Sequence, residues 1–278
     1  EDDNLDVTAK VVWQATEEIA LEFGAAQKTR SPNLYERYAW GRGSMAASMT
    51  NMTGDGAGYV GEIDLDPEVA RSLAATLVWT SPEEDGASFR ASAWASIVSD
   101  YIDARRVGTL PDGLPILQFA NQDAELYGLE LSGNMPLVET DLGQTRLSGQ
   151  LSWLKGTNEE TGDNLYNIAP LTGLVALENR KGRWTQALEV ELVDRKDTVN
   201  ALRLERKTDA YALLHLRAGA DIGRFTLNVS IENLLDTDYD LPLGGLAFGD
   251  YKFGGRTGPY RQVAGPGRSL NAGISVAF

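Results

Sequence analysis

Phe225-Thr226-Leu227-Asn228-Val229-Ser230-Ile231-Glu232 places an apolar residue at every odd position and a polar one at every even position. In an extended chain, successive side chains point to opposite faces. Phe225, Leu227, Val229 and Ile231 therefore share one side, and Thr226, Asn228, Ser230 and Glu232 share the other. Such a ribbon can cover one face and keep the other wet. The same period of two recurs from end to end. It is seen in Leu270, Ala272, Ile274, Val276 and Phe278; in Leu5, Val7, Ala9, Val11 and Trp13; in Ile19, Leu21, Phe23 and Ala25; and in Leu73, Ala75, Leu77 and Trp79. Leu147, Gly149, Leu151 and Trp153; Leu188, Val190 and Leu192; and Ala212, Leu214 and Leu216 repeat it. Asp6, Lys10, Glu22, Arg146, Gln150, Glu189, Glu191, His215 and Arg217 lie on the opposing face. Helical periodicity is nearly absent, so the fold class is all-β.

A soluble sandwich also alternates. The connections favour a different solution. Short turns at Glu17-Glu18, Pro82–Gly86, Glu139–Gly143, Asn179–Gly182 and Asp221–Gly223 alternate with longer loops at about residues 29–67, 104–116, 156–168, 197–207 and 235–267. Short turns on one rim and long loops on the other mark an antiparallel transmembrane β-barrel of the outer-membrane type, whose long loops are extracellular. Trp13 and Trp79 close strands that run into short turns, and Trp184 opens a strand leaving one. All three fall on the short-turn rim, where an indole buries its ring in lipid and keeps its N–H wet. The pattern gives roughly eleven strands, at about 4–16, 18–28, 68–81, 87–103, 117–138, 144–156, 168–179, 183–197, 208–221, 224–235 and 268–278. Single-chain bacterial barrels have even strand numbers, so an odd count leads us to expect a piece of a larger barrel that begins on the long-loop side.

Composition sets outer bounds. No run of about 18 apolar residues exists, so a transmembrane helix is excluded, which leaves strands free to cross a bilayer. Mean hydropathy is −0.26, and a barrel strand, greasy only at every second residue, fits that value. The net charge of −15 argues against nucleic acid, because little would neutralise its phosphates. With no cysteine, these residues hold neither a disulfide nor a thiolate metal site. A single histidine gives no Ser-His-Asp set and no histidine-based hydrolase motif, so an enzyme is not expected. Gly254-Gly255-Arg256-Thr257-Gly258 lacks the strand-to-helix context of a phosphate loop.

Four segments resemble, in order, the second half of a TonB-dependent receptor barrel. They are Gln27–Tyr38 with its Arg30-Ser31-Pro32, Gly61–Glu68 ending in Leu65-Asp66-Pro67-Glu68, Ala124–Glu130 with Tyr127-Gly128, and Ile231–Tyr239 containing Glu232-Asn233-Leu234-Leu235-Asp236. The terminal Phe278 resembles the family's C-terminal assembly signal. The resemblance implies about the last eleven strands of a barrel of roughly 22, with the plug domain not included. It also implies residence in the bacterial outer membrane among lipid and lipopolysaccharide. The partners it implies are the receptor's own plug and first barrel half, and the TonB complex reached through the upstream region. Residues 1–278 would then form the C-terminal part of one receptor barrel.

A narrower resemblance, to the TonB-dependent copper receptors, rests on Arg30–Trp40, Gly54–Gly61, Thr161–Ile168, Pro242–Gly245 and Gly265–Asn271. The subfamily's principal copper ligands, in the plug and an earlier barrel segment, have no counterpart here. Three of the four methionines, Met45, Met49 and Met52, fall in one long loop among small polar neighbours. Thioethers suit Cu(I) and bind hard cations poorly, so these three form a candidate metal-collecting loop, with copper as the transported ligand. The other reading packs them into a folded loop. His215 is expected as a hydrogen-bonded lumen residue. Arg30, Glu36 and Arg37, and likewise Asp100, Asp103, Arg105 and Arg106, are expected in ion pairs at strand exits. Siderophore or cobalamin-type uptake, and a structural role in a surface assembly, remain the alternatives.

Overall fold

The computed structural model describes residues 4–40, 55, 57–111, 113–247, 249–250 and 261–277, and every structural statement below concerns these. Met45, Met49, Met52, Phe278 and Gly254–Gly258 lie outside them. Eleven strands run antiparallel in one sheet in chain order: β1 (Val7–Gln14), β2 (Ile19–Arg30), β4 (Glu68–Thr80), β5 (Ser88–Thr109), β6 (Pro115–Thr140), β7 (Gly143–Asn158), β8 (Thr172–Lys181), β9 (Trp184–Val193), β10 (Tyr211–Ile222), β11 (Phe225–Glu232) and β12 (Ser269–Val276). A short β3 (Gly58–Val60) pairs parallel with β6. A five-residue helix α1 (Leu34–Tyr38) follows β2. Among the described residues β1 and β12 each pair on one side only, so the sheet is open, as half of a barrel must be.

The register explains why the faces differ. One row of cross-strand partners reads Trp13, Leu21, Leu77, Ala91, Leu131, Leu151, Gly173, Leu192 and Ala212, so it crosses nine strands without a polar side chain. A second reads Met135, Leu147, Leu177, Leu188, Leu216, Ile231 and Leu270. No protein covers this face: Val11 is 62% exposed, Leu73 68% and Leu270 73%. The other face reads Thr80, Ser88, Asn134, Ser148, Ala176, Glu189 and His215 across seven strands. Ion pairs stud it, including Arg90 to Glu22 at 3.0 Å and Arg217 to Glu189 at 2.7 Å. A greasy outer face over a charged inner one is what a membrane barrel with a wet lumen requires. The first row begins one residue before the turn end of β1 and finishes at the second residue of β10, its loop end. That steady drift is the stagger that tilts barrel strands.

Turn chemistry fits as well. Gly182 and Gly223 take the first place of two-residue hairpins at φ 57° and 64°, a conformation that glycine adopts without penalty. Trp13 stands exposed beside the β1–β2 turn and Trp184 beside the β8–β9 turn, and the Trp79 Nε1–H reaches Glu18 Oε2 at 3.3 Å.

The loops differ from expectation at two places. The connection expected at 104–116 narrows to 110–114, because β5 runs to Thr109 and β6 starts at Pro115. A bulge between Val98 and Tyr101, with Asp100 at φ 57°, shifts the pairing there and breaks the simple alternation beyond it. The 29–67 connection contains α1 and β3 rather than plain loop.

Candidate functional site: the loop layer over the barrel mouth

Among the described residues, the sizeable dry cores lie at the long-loop end and are built from loop residues packed on strand extensions. β6 loses its β7 neighbour above Ala124, which pairs with Asn158, and β3 takes over that bare edge through Gly58 to Ile116, Tyr59 to Leu117 and Val60 to Gln118. Tyr59 stacks on Phe119 with ring centroids 5.0 Å apart, and Tyr35 meets Phe119 edge-on at 5.6 Å. Ala39, Leu65, Ile102 and Leu117 fill the space around them. Further round the mouth, Leu165 and Ile168 from the β7–β8 loop pack on Val98 and Ala124.

Two polar devices pin this layer. At the exit of β2, the Arg30 guanidinium donates both to Glu68, at 2.7 Å from Nε and Nη2, and to Glu36 at 2.9 Å. Glu36 also closes a capping box with Asn33, accepting from the Asn33 N–H at 2.8 Å while Asn33 Oδ1 accepts from the Glu36 N–H at 2.9 Å. Gly61 seals the junction: a Cβ there would stand 2.3 Å from the Arg37 carbonyl oxygen. The expected Arg30–Glu36 pair is therefore present, while Arg37 donates to the Leu65 carbonyl at 3.1 Å.

The second device is centred on Arg203, in the β9–β10 loop. It donates to Asp103 Oδ1 of β5 at 2.8 Å and to the Tyr59 hydroxyl at 2.6 Å, and it lies 3.7 Å from Asp55 Oδ2. Tyr59 and Tyr166 present their rings to it at 5.6 and 5.2 Å. The Tyr59 hydroxyl in turn donates to Asp55. Burial opposes the Arg203 charge, but Tyr59, Asp103 and Asp55 outweigh it and hold its pKa above the ordinary value. Its Nε remains buried without an acceptor among the described residues. Beside it, a fully buried Lys196 donates to Glu205 Oε1 at 2.5 Å, and Glu205 also accepts from the backbone N–H groups of Asn200 at 2.7 Å and Asn167 at 3.1 Å. Leu204 adopts φ 57°, a strained choice for a branched side chain, where the chain doubles back between Arg203 and Glu205.

Of the residues singled out from sequence, Asp103 lies within β5 rather than at a strand exit, because β5 continues to Thr109, and its ion-pair partner Arg203 lies 100 residues away. Arg105 donates to Gln118 and Arg106 to Thr109, and the Asp100 carbonyl oxygen accepts from Asn121. His215 stands on the inner face with Nδ1 2.7 Å from Glu232 Oε2 and Nε2 3.7 Å from Glu191 Oε2. Among the described residues no group of three His, Asp or Glu side chains converges to hold a metal. Tyr59 and Tyr166 fall in segments that carried the narrower resemblance but were not singled out there, and Arg203 was not singled out at all. The one available hint was a charge inside Leu202-Arg203-Leu204, where apolar neighbours foretell burial. The segment bearing Met45, Met49 and Met52 lies outside the described residues, but both its flanks are pinned. Trp40 bridges Val60, and Asp55 accepts from the Ala57 N–H at 2.9 Å and from Tyr59.

Comparison with known proteins agrees with this architecture. The model of the family described as TonB dependent receptor-like, beta-barrel matches residues 4–234. No curated protein sequence matches the chain. Among solved structures, the copper transporter OprC superposes over 98% of the chain with a TM-score of 0.79 at 21% identity, the chain covering 39% of that protein. A variant of the ferric enterobactin receptor PfeA from Pseudomonas aeruginosa superposes over 98% at TM-score 0.68 and 18% identity, with 40% of that protein covered. The FrpB iron transporter from Neisseria meningitidis does so over 98% at 0.64 and 14%, with 39% covered. The chain thus spans about two fifths of the length of each. It belongs to the TonB-dependent receptor β-barrel family of the bacterial outer membrane, a family of transport receptors rather than enzymes.

Proposed function

We propose that residues 1–278 form the C-terminal part of one receptor barrel, that the long connections face the cell exterior, and that the whole protein imports copper. Met45, Met49 and Met52 would collect Cu(I) above the mouth, and an upstream plug, drawn by the TonB complex, would open the path inward. The observation carrying this reading is the placement of three soft thioethers in one segment whose two flanks are both held at the mouth. The similarity to OprC supports it. Changing all three methionines to leucine preserves apolar volume and removes sulfur. Copper uptake by cells expressing the whole receptor at limiting copper should then fall several-fold, while the barrel still assembles. Unchanged uptake removes the copper reading. Import of a ferric siderophore is the second reading, favoured by equally complete superposition on iron receptors. Growth rescue by ferric catecholates but not copper would select it.

A further inference from the structure

The inner wall carries a second polar group, near the loop ends of β9 to β11 and apart from the Arg203 tie. His215 of β10 lies opposite Glu189 of β9, with Glu191 diagonal to it as the partner of Leu213. On its other side stands Glu232, which ends β11 next to Ile231, the partner of Leu216. Arg217 bonds to Glu189 at 2.7 Å and to Glu232 at 3.1 Å. Glu191 is the carboxylate that Arg217 leaves over.

The contacts of the imidazole decide which nitrogen holds the proton. Nδ1 lies 2.7 Å from Glu232 Oε2. A carboxylate paired with Arg217 is ionised and can only accept, so the proton between them belongs to Nδ1. The Asn233 N–H, 3.3 Å from the same nitrogen, is then left with a long contact. Nε2, across the ring, makes no hydrogen bond among the described residues. Glu191 Oε2 faces it at 3.7 Å and has no other hydrogen-bond or ion-pair partner among them. That separation is too long for a hydrogen bond. Two metal–ligand bonds of about 2.0–2.2 Å would span it at an angle somewhat wider than tetrahedral. A histidine whose other nitrogen donates to a carboxylate is also how proteins orient an imidazole toward a metal. The His215 side chain is 9% exposed and fixed, whereas Glu191 is 35% exposed, so the pair opens to the lumen past the carboxylate.

We propose that His215 Nε2 and the Glu191 carboxylate bind a borderline divalent cation, of the class of Zn²⁺ or Cu²⁺, on the lumen wall. Imidazole suits such ions, whereas Mg²⁺ and Ca²⁺ call for oxygen ligands in number. Two side chains supply the ligands and water completes the set, so the ion is exchangeable rather than a closed structural centre. The site is separate from Met45, Met49 and Met52, whose thioethers suit Cu(I), and it does not rest on the copper reading. The test dialyses the full-length receptor in neutral detergent against ZnCl₂ with excess MgCl₂ at neutral pH and counts bound zinc. Wild-type protein should hold one equivalent more than His215→Gln and one more than Glu191→Gln. Glu232→Gln keeps both ligands but loses the carboxylate that orients the ring, so it should weaken that equivalent about ten- to hundredfold. Equal zinc in wild type and Glu191→Gln overturns the site, as does displacement of the ion by Mg²⁺; an imidazolium merely paired with its two carboxylates gives the first result. Glu191→Gln is isosteric and removes no hydrogen bond among the described residues, so it decides alone if His215→Gln does not assemble.

Discussion

Replacing Arg203 with methionine keeps a long apolar stem but removes the cation that joins Asp103, Tyr59 and Asp55. Asp103 and Asp55 are 4% and 1% exposed, so neither carboxylate can regain water without the loop moving. Asp55 retains donors in the Tyr59 hydroxyl and the Ala57 N–H, whereas Asp103 keeps only a long contact from Asn158 Nδ2 at 3.4 Å. Stripping one partner from a buried pair costs about 3–5 kcal/mol. With tenfold in an equilibrium for each ~1.4 kcal/mol, the loop layer should open roughly one hundred to several thousand times more often. The strands beneath do not depend on Arg203, so the opening should be local. Hydrogen exchange on the assembled receptor measures this directly. The amides of Leu165, Asn200, Arg203 and Glu205, each bonded within this layer, should exchange faster by that factor, and those of β8 to β11 should not. Adding Asp103→Asn to the variant should recover a large part of the loss, because it removes the abandoned charge. A change below tenfold, or equal acceleration in the strands, would refute the assignment of Arg203 as the tie between the loops.

Two further expectations concern the membrane face and the alkaline limit. Leu188→Arg, in the centre of an outward apolar row, should cost about 2–4 kcal/mol and impair assembly, while Thr185→Arg on the lumen side should be tolerated, as read by heat-modifiable mobility. Burial, then Asp55 and Glu205, push the Tyr166 hydroxyl above the ordinary tyrosine value of about 10. The folded loops thus hold this proton more tightly than the unfolded chain. The associated stability is complete below about pH 10 and is lost as pH rises through the folded value. Tyr166→Phe should remove that alkaline dependence from loop exchange, and an identical profile in the variant would count against it.

The strands were legible because each residue's face depends only on its parity, and lipid on one side against water on the other imposes that parity in residue choice. Turn ends were legible for a similar local reason, since Gly182 and Gly223 sit where φ is positive. The upper part of β5 was not legible, because the bulge at Asp100 shifts the phase and the run Asp103-Ala104-Arg105-Arg106 resembles a solvated loop. β3 is three residues long, pairing in parallel with β6 and bridging Trp40 through Val60, too little to leave a periodic trace. The Arg203 tie joins residues 144 positions apart in sequence, from Tyr59 to Arg203, and nothing local in either segment announces the other.

The central claim is that the two faces of these strands meet hydrocarbon and water respectively. Residues 1–278 contain no cysteine, so once any cysteine elsewhere in the complete receptor is replaced by serine, single cysteines can be introduced at residues 226 to 231 of β11 and spin-labelled in bilayers. Collision with oxygen, which enriches in lipid, should peak at 227, 229 and 231, and collision with a water-soluble nickel complex at 226, 228 and 230. Labels at 227, 229 and 231 shielded from both relaxers would mean that protein covers the apolar face, and the account would fall.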